Sequence, residues 1–228
     1  MKLLSATVKT AKTEKAFPDW ENTITYLMPN KVLCQFSANC LAPCLKSSGR
    51  LPMSKQLMND RTKMFFQEPE VFFNTLSLEL SKKKKSANKK GKKLAYRFNG
   101  TSDNFTVVKR FLDSSSVPFD RAYDYTKDFS RVLEYQGYKG YHLTFSFDGL
   151  NSNEASYLLK NSIANVAVVF NVKRDEALPA THKIDGVDYP VYDGDLHDMR
   201  FNDSPQIVIG LRAKGKAIKN GGTFVTKV

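Results

Sequence analysis

Cysteine is absent from the 228-residue chain except in one short segment, which holds all three copies, Cys34, Cys40 and Cys44. An odd number of cysteines in one place fits poorly with the disulfide framework of a small secreted protein. The chain also lacks any run of about 18 apolar residues, so we expect no membrane-spanning helix. Its first residues are too weakly apolar for a signal peptide. We therefore expect a cytoplasmic protein with reduced thiols.

Acidic side chains are scarce relative to basic ones. The 23 Asp and Glu residues face 35 Lys and Arg residues, which leaves a net charge of +12. Such a surplus is mostly local, because one lysine run supplies Lys82, Lys83, Lys84, Lys85, Lys89, Lys90, Lys92 and Lys93. The run either binds phosphates without reading sequence or forms a solvated, self-repelling linker. Since no aromatic residue is interleaved to stack bases, we predict a lysine-rich flexible insertion at residues 81–93.

Two nucleotide-binding signatures are also missing: a dinucleotide glycine fingerprint and a phosphate-binding loop. What the chain does show, from Leu94 onward, is an alternation of strand-like and helix-like segments. This alternation is typical of βαβ units around a parallel sheet. Strands are predicted at 22–28, 94–100, 119–125, 141–147, 165–172, 189–193, 206–213 and 223–226.

About seven strands are too few for a regular eight-unit barrel. We predict an α/β fold in which one domain, residues 1–228, forms a small or incomplete parallel (β/α) barrel related to the TIM barrel. An open doubly wound sheet is the alternative. Residues 1–21 look like an irregular lead-in to this domain.

The cysteines lie in a loop after the first predicted strand, within residues 22–50, at a spacing of C-x5-C-x3-C. Three interpretations compete. Three close thiolates on one loop can hold an iron–sulfur cluster with one open iron. Structural zinc needs four ligands, so a distant residue such as His142 would have to complete the site. The third interpretation is a disulfide with one spare thiol, or plain buried thiols.

Polar residues follow most of the predicted strands, where functional side chains collect in α/β proteins. After the second strand come Asn99, Gly100, Thr101, Ser102 and Asp103. Lys127 follows the third strand and Ser146 lies at the end of the fourth. Arg212 and Lys214, at the end of a late strand, suit a carboxylate or phosphate. Turn formation and helix capping by Ser102 or Asp103 would explain part of this pattern without a ligand.

An acidic segment follows the sixth predicted strand. Its candidate catalytic residues are Asp193, Asp195, His197, Asp198 and Arg200. His197 is the favoured acid–base group, because histidine titrates near neutral pH. The aspartates fit a hydrated turn as well as a hard-metal site with oxygen ligands.

The runs NGTSD, YDYTK, HLTFS, VAVVF, DGDLHDMRF and GLRAKGKA resemble a bacteriophage and plasmid family known as the Gene 88 protein family. The resemblance covers most of the chain and implies a phage or mobile-element origin in a host cytoplasm. The order of the cysteine loop and the polar segments is in addition similar to radical S-adenosylmethionine (SAM) enzymes. Among these, phage-encoded relatives of spore photoproduct lyase carry a Ser-Asp and a Thr-Lys that match Ser102-Asp103 and Thr126-Lys127. The usual radical SAM spacing is C-x3-C-x2-C.

The radical SAM resemblance implies that the three cysteines hold a [4Fe–4S] cluster whose open iron binds SAM. It also implies that residues 99–103, Lys127 and Ser146 line the SAM pocket. The acidic segment, with Arg212 and Lys214, would then face the substrate, and the basic surface favours a nucleic acid or nucleotide. The rival hypothesis is a non-enzymatic phage protein that binds nucleic acid through its lysine run, with structural zinc or no metal at the cysteines.

Overall fold

The fold is that of a computed structural model, which describes residues 1–37, 39–49 and 51–228. Within these residues, one sheet contains β1 (Leu4–Ser5), β2 (Trp20–Thr25), β3 (Lys93–Arg97), β4 (Arg121–Thr126), β5 (Tyr141–Ser146), β6 (Val166–Phe170), β7 (Thr181–Ile184), β8 (Val187–Asp193), β9 (Val208–Arg212) and β10 (Val225–Thr226). The helices are α1 (Val8–Ala16), α2 (Lys55–Gln67), α3 (Pro69–Lys89), α4 (Phe105–Leu112), α5 (Phe129–Tyr135), α6 (Ser152–Lys160) and α7 (Ala217–Asn220). Arg50, at the end of the predicted segment 22–50, lies outside the described residues.

The sheet is mostly parallel and open. Its order is β1-β2-β3-β4-β5-β6-β9-β8-β7, in which β2 to β8 run parallel and only β1 and β7 pair antiparallel at the two edges. The predicted α/β fold with a parallel sheet is therefore confirmed, whereas the sheet does not close into a barrel. Strands β2 to β6 follow chain order without the central reversal that characterises a doubly wound sheet.

Strands β5 and β6 separate at the carboxyl end of β5. The first two residues of β6, Val166 and Ala167, pair with β5, whereas Val169 and Phe170 pair with β10. The C-terminal strand thus occupies the edge of β6 that β5 leaves, and it reaches the carboxyl edge of the sheet.

One face of the sheet carries the main hydrophobic core. Side chains of α3, α4 and α6, including Phe72, Leu76, Val108 and Leu158, pack there against alternate strand residues such as Leu143. Burial of this apolar surface is the main source of stability, at roughly 25 cal/mol per Å² removed from water.

The opposite face is covered by α1 and by the connection between β8 and β9, residues 194–207. Ala95, Tyr123 and Met199 form a buried cluster there, with Phe17 and Phe201 packed against it. Because β8 and β9 are parallel, this connection must return from the carboxyl edge to the amino edge. It does so across the face that α1 shares.

The prediction of an irregular lead-in at residues 1–21 is wrong, because this region contains β1 and α1. Helix α1 begins with a reciprocal capping box, in which Thr7 and Thr10 each accept a hydrogen bond from the backbone N–H of the other. Its buried residues are Thr10 and Thr13. A helix that buries threonines shows no apolar periodicity, which is the signal that predicts amphipathic helices.

The lysine run also differs from the predicted flexible insertion. Residues 82–89 form the last turns of α3, and Lys93 begins β3. Buried Ala87 anchors these turns to the core. Lys83 lies 2.6 Å from Glu21, and Lys84 pairs with Asp120, so part of the run is held in ion pairs.

Substitution of Lys85 tests whether the run is helical, since this side chain is exposed. Lys85→Pro should lower the free energy of unfolding by about 3 kcal/mol, because proline inside a helix removes a backbone hydrogen bond and clashes with the preceding turn. Lys85→Ala is the matched control and should change it by less than about 0.5 kcal/mol. Urea denaturation measures both, and equal stability of the two variants would show that the run is not part of α3.

Candidate functional site at the carboxyl edge of the sheet

Three successive loops meet at the carboxyl edge of the sheet. The cysteine loop follows β2, the segment 99–103 follows β3, and Lys127 follows β4. Cys34 and Asp103 form an isolated parallel bridge, and the Asp103 N–H donates to the Leu33 carbonyl at 3.2 Å. The Lys127 Nζ lies 3.3 Å from the Cys40 Sγ. Parallel neighbours end at one edge, so the strand order itself brings these residues together.

The three cysteines are not joined by a disulfide. Burial raises the pKa of the Cys34 thiol to about 11, and the nearby Asp103 carboxylate adds to the rise. Burial also raises the pKa of Cys44. Cys34 and Cys44 are therefore protonated at neutral pH unless a metal displaces the proton.

The donor set of three thiols on one loop fits an iron–sulfur cluster in its chemistry. Each of Cys40 and Cys44 lies close enough to Cys34 to influence its charge. In the described part of the chain, however, no three His, Cys, Asp or Glu side chains are gathered closely enough to hold a metal ion as they stand. The loop would have to draw its thiols together around a cluster.

Asp103 ties the neighbouring loops to the cysteine loop. Its Oδ2 accepts from the Thr126 hydroxyl at 3.2 Å and from the Lys127 N–H at 3.0 Å, and its Oδ1 pairs with Arg131. The following helix, α4, is capped by Asn104, whose side chain accepts from the Val107 N–H. Helix capping therefore does not account for Asp103 or Ser102.

Asn99 is the centre of a buried network behind Asp103. Its backbone N–H and its Nδ2 donate to the two oxygens of Asp124 at 2.7 and 3.0 Å. Its Oδ1 accepts from the Ser102 hydroxyl at 2.8 Å. Tyr141 donates to the same Asp124 carboxylate. With Asn99 only 1% exposed, these groups hold the loop in shape rather than facing a ligand.

Gly100 and Thr101 dock the same loop onto the end of β2. A Cβ at Gly100 would lie 2.5 Å from the ring of Tyr26, so only glycine fits this close approach. The Thr101 hydroxyl donates to the Leu27 carbonyl at 2.6 Å. Of the predicted pocket segment, Asp103 is thus the residue that reaches the cysteines.

The acidic segment divides into separate groups. Near the ends of β8 and β9, Arg212 lies 2.9 Å from Asp193 and 3.3 Å from Asp195, and Lys214 lies 2.5 Å from Asp195. The predicted anion-binding cations are thus paired with predicted catalytic acids. Ser146, at the end of β5, accepts a hydrogen bond from Asn151 through its carbonyl.

Asp198 is fully buried under α1. It lies 2.8 Å from Arg97 Nη1 and 3.1 Å from Lys9 Nζ, and its backbone N–H donates to the Thr13 hydroxyl. Burial alone would raise its pKa, but the charges of Lys9 and Arg97 outweigh burial and hold the pKa well below the ordinary value. Asp198 therefore stays ionised and braces α1 against β3.

His197 and Arg200 lie further along the same connection. Burial, and then the charge of Arg200, lower the pKa of His197 to about 4. The Arg200 Nη2 donates to His197 Nδ1 at 2.8 Å and to its carbonyl at 2.6 Å. His197 is thus neutral at physiological pH, away from the pKa near 7 that suits a general base. Burial likewise lowers the pKa of His142 in β5 to about 4.

Sequence reasoning did not identify Lys9, Arg97, Asp124 and Arg131 as site residues. Each lies inside a strand or helix and is buried or half-buried through an ion pair or hydrogen bond. A charged residue at an inward position of a strand, as in AYRF and AYDY, is the only signal that could have identified Arg97 and Asp124.

Asp198→Asn should destabilise the protein by about 3–5 kcal/mol, because it leaves Arg97 buried without its counter-charge. The control is Asp188→Asn on β8, which removes an exposed ion pair with Lys183 on β7. It should lower the free energy of unfolding by about 0–1 kcal/mol. Because the folded pKa of Asp198 is depressed, its contribution is complete above the unfolded pKa of about 3.9 and is lost as the pH falls further. Urea denaturation at pH 7 and pH 3 should show the cost of Asp198→Asn shrinking in acid, and a cost independent of pH would contradict this assignment.

Comparison with known proteins places the chain in a family. A family model described as Gene product 88 matches residues 1–226, so the chain belongs to the Gene product 88 family. No curated protein and no solved structure matches the chain. Nowhere in the described residues does a helix have the length and apolar character needed to cross a membrane.

Proposed function

Starting from its membership of the Gene product 88 family, we propose that this phage or mobile-element protein is an iron–sulfur enzyme of the radical SAM type. Cys34, Cys40 and Cys44 would hold the [4Fe–4S] cluster. One observation supports this proposal above the others: Asp103 and Lys127, from the next two loops of the sheet, touch the cysteine loop itself.

The bound cluster would supply one electron to SAM at its open iron. Residues of the chain around the cysteines would balance the charge of the cluster and position SAM. The Lys127 ammonium beside Cys40 offsets negative charge that gathers on thiolates. Arg131 and the Lys127 N–H hold the Asp103 carboxylate in place. The carboxylate could then accept a hydrogen bond from the amino group of SAM. The network of Asn99, Asp124 and Ser102 fixes this loop in position.

The substrate side of the proposed site is the ion-pair group of Asp193, Asp195, Arg212 and Lys214, at the same edge of the sheet. These side chains neutralise one another in the structure. A phosphate or carboxylate of a substrate would exchange for Asp195 on Arg212 or Lys214. The positive net charge of the chain favours a nucleic acid or nucleotide as that substrate.

Protein purified without oxygen tests the cluster directly, through its iron, sulfide and zinc content and its visible spectrum. We expect about four irons per chain, lost in Cys34→Ser, Cys40→Ser and Cys44→Ser and retained in the exposed control Ser115→Ala. Asp103→Asn should keep its iron but bind SAM at least tenfold more weakly. Stoichiometric zinc without iron, or folded anaerobic protein with neither metal, would contradict the proposal and favour a structural site.

A second candidate function, binding of nucleic acid, is favoured by the arrangement of the lysine run on α3. Lys82, Lys85 and Lys89 are exposed and spaced three and four residues apart, which places them on one face of the helix. Lys83 and Lys84, on other faces, pair with acids. The outward face is thus a row of cations at which phosphates can exchange for counterions.

The triple substitution Lys82, Lys85 and Lys89→Gln should weaken binding to double-stranded DNA and lower the slope of log affinity against log salt by about 2 to 3. The matched control, Lys12, Lys15 and Lys219→Gln, removes the same charge from exposed positions elsewhere. Fluorescence anisotropy at several salt concentrations measures both. Equal losses in the two triple variants would show that net charge, rather than this face, governs binding.

A further inference from the structure

A cleft of about 360 Å³ opens on the face of the sheet opposite the main core. Its lining includes Phe17, which precedes β2, and Ile207, which precedes β9, so it lies toward the amino edge. The cysteine loop lies at the carboxyl edge. The cleft is therefore a separate feature from the proposed cluster site, and its volume is within the range of small-molecule sites.

Rings form much of the wall of this cleft. Phe17 meets the His197 ring edge-to-face, with ring centres 4.8 Å apart, and the Tyr192 ring lies 5.8 Å from His197. Pro190 and Ile207 add apolar surface. Rings and apolar side chains of this kind bind flat, aromatic ligands by stacking and by edge contacts.

Asp203 contributes a carboxylate to the cleft, whose polar lining also includes Asn202 and Ser204. Its side chain is 3% exposed, yet its Oδ2 accepts no hydrogen bond among the described residues. The Arg200 Nη1 is 3.2 Å away, close enough for an ion pair but without hydrogen-bond geometry. A buried carboxylate oxygen without a donor costs stability, and a ligand with N–H groups would supply the missing donor.

Arg200 also determines which nitrogen of His197 carries the proton, and so the direction of the hydrogen bond between His197 and Tyr192. Because Arg200 donates to His197 Nδ1, the neutral ring carries its proton on Nε2. That Nε2–H donates to the Tyr192 hydroxyl at 3.0 Å and lies 3.9 Å from Asp203 Oδ1. The hydroxyl proton of Tyr192 is then free to point into the cleft. A hydroxyl donor and a carboxylate acceptor thus stand on either side of His197.

The charges here cancel, since Asp203 is paired with Arg200 and His197 is neutral. The cleft therefore favours an uncharged ligand over a phosphate or an amine. We propose that it binds the guanine base of a nucleoside, with the ring of Phe17 packed against the base. The adjacent N1–H and N2–H groups of guanine donate to the Asp203 carboxylate, and its O6 accepts from the Tyr192 hydroxyl. Adenine presents the opposite donor and acceptor pattern on that edge.

Calorimetric titration with guanosine, inosine and adenosine tests this assignment. Guanosine should bind tightest, and inosine, which lacks the N2 amino group, at least fivefold more weakly. Adenosine should bind at least a hundredfold more weakly than guanosine, since a site built to hydrogen-bond one edge leaves buried groups unpaired with another. Absence of guanosine binding by the folded wild-type protein, or adenosine binding as tightly as guanosine, would overturn the proposal.

Variants locate the binding. Asp203→Asn should weaken guanosine binding at least tenfold and Tyr192→Phe at least threefold, whereas the controls Asp188→Asn and Tyr157→Phe, at exposed positions, should leave it unchanged. Tyr192→Phe keeps its ring, so it tests the contact even if Asp203→Asn fails to fold. Unchanged affinity in Tyr192→Phe and in folded Asp203→Asn would overturn the assignment. The cysteine variants should bind guanosine normally, which separates this outcome from that of the proposed cluster.

Discussion

The carboxylate of Asp103 is the contact on which the candidate site depends. It receives hydrogen bonds from Thr126 and Lys127 and an ion pair from Arg131, while its own backbone bonds to the cysteine loop at Leu33. One residue, through its backbone and its side chain, thereby joins the loops after β2, β3 and β4. The thiols lie on residues 26–44, between β2 and the helical turn at Leu45–Ser47, and the backbone contacts of Asp103 hold this segment against the sheet.

Ion pairing determines how much of the basic composition remains as unpaired positive charge on the surface. Several cations that look free in the sequence are engaged: Lys83 and Lys90 with Glu21, Arg97 and Lys9 with Asp198, and Arg212 with Asp193 and Asp195. The buried pairs brace elements against each other, whereas the exposed ones contribute little stability. The surface that remains cationic is narrower than the net charge indicates, and the outward face of α3 is one part of it.

The core α/β pattern was predictable because it rests on local signals. Strands β3 to β6 and helices α4 to α6 alternate at regular intervals, and runs such as VAVVF are apolar enough to be buried on both faces. The same reasoning failed at α1, whose buried face is threonine, and at residues 82–89, where lysine favours both helix and solvent. In both places long-range contacts decided the outcome: α1 is held by Asp198, and the end of α3 by Ala87 in the core and by Glu21.

The sequence by itself determined that the protein would hold three thiols on one loop, that a parallel sheet would follow, and that polar residues would stand at the strand ends. These are consequences of composition and of periodicity along the chain. Only the tertiary structure decided which polar residues meet: Asp103 and Lys127 reach the cysteines, Asn99 turns inward to Asp124, and Asp198 is buried beneath α1. The reason is that strand order and the path of residues 194–207 bring together groups about a hundred positions apart, such as Arg97 and Asp198, and no local pattern records that distance.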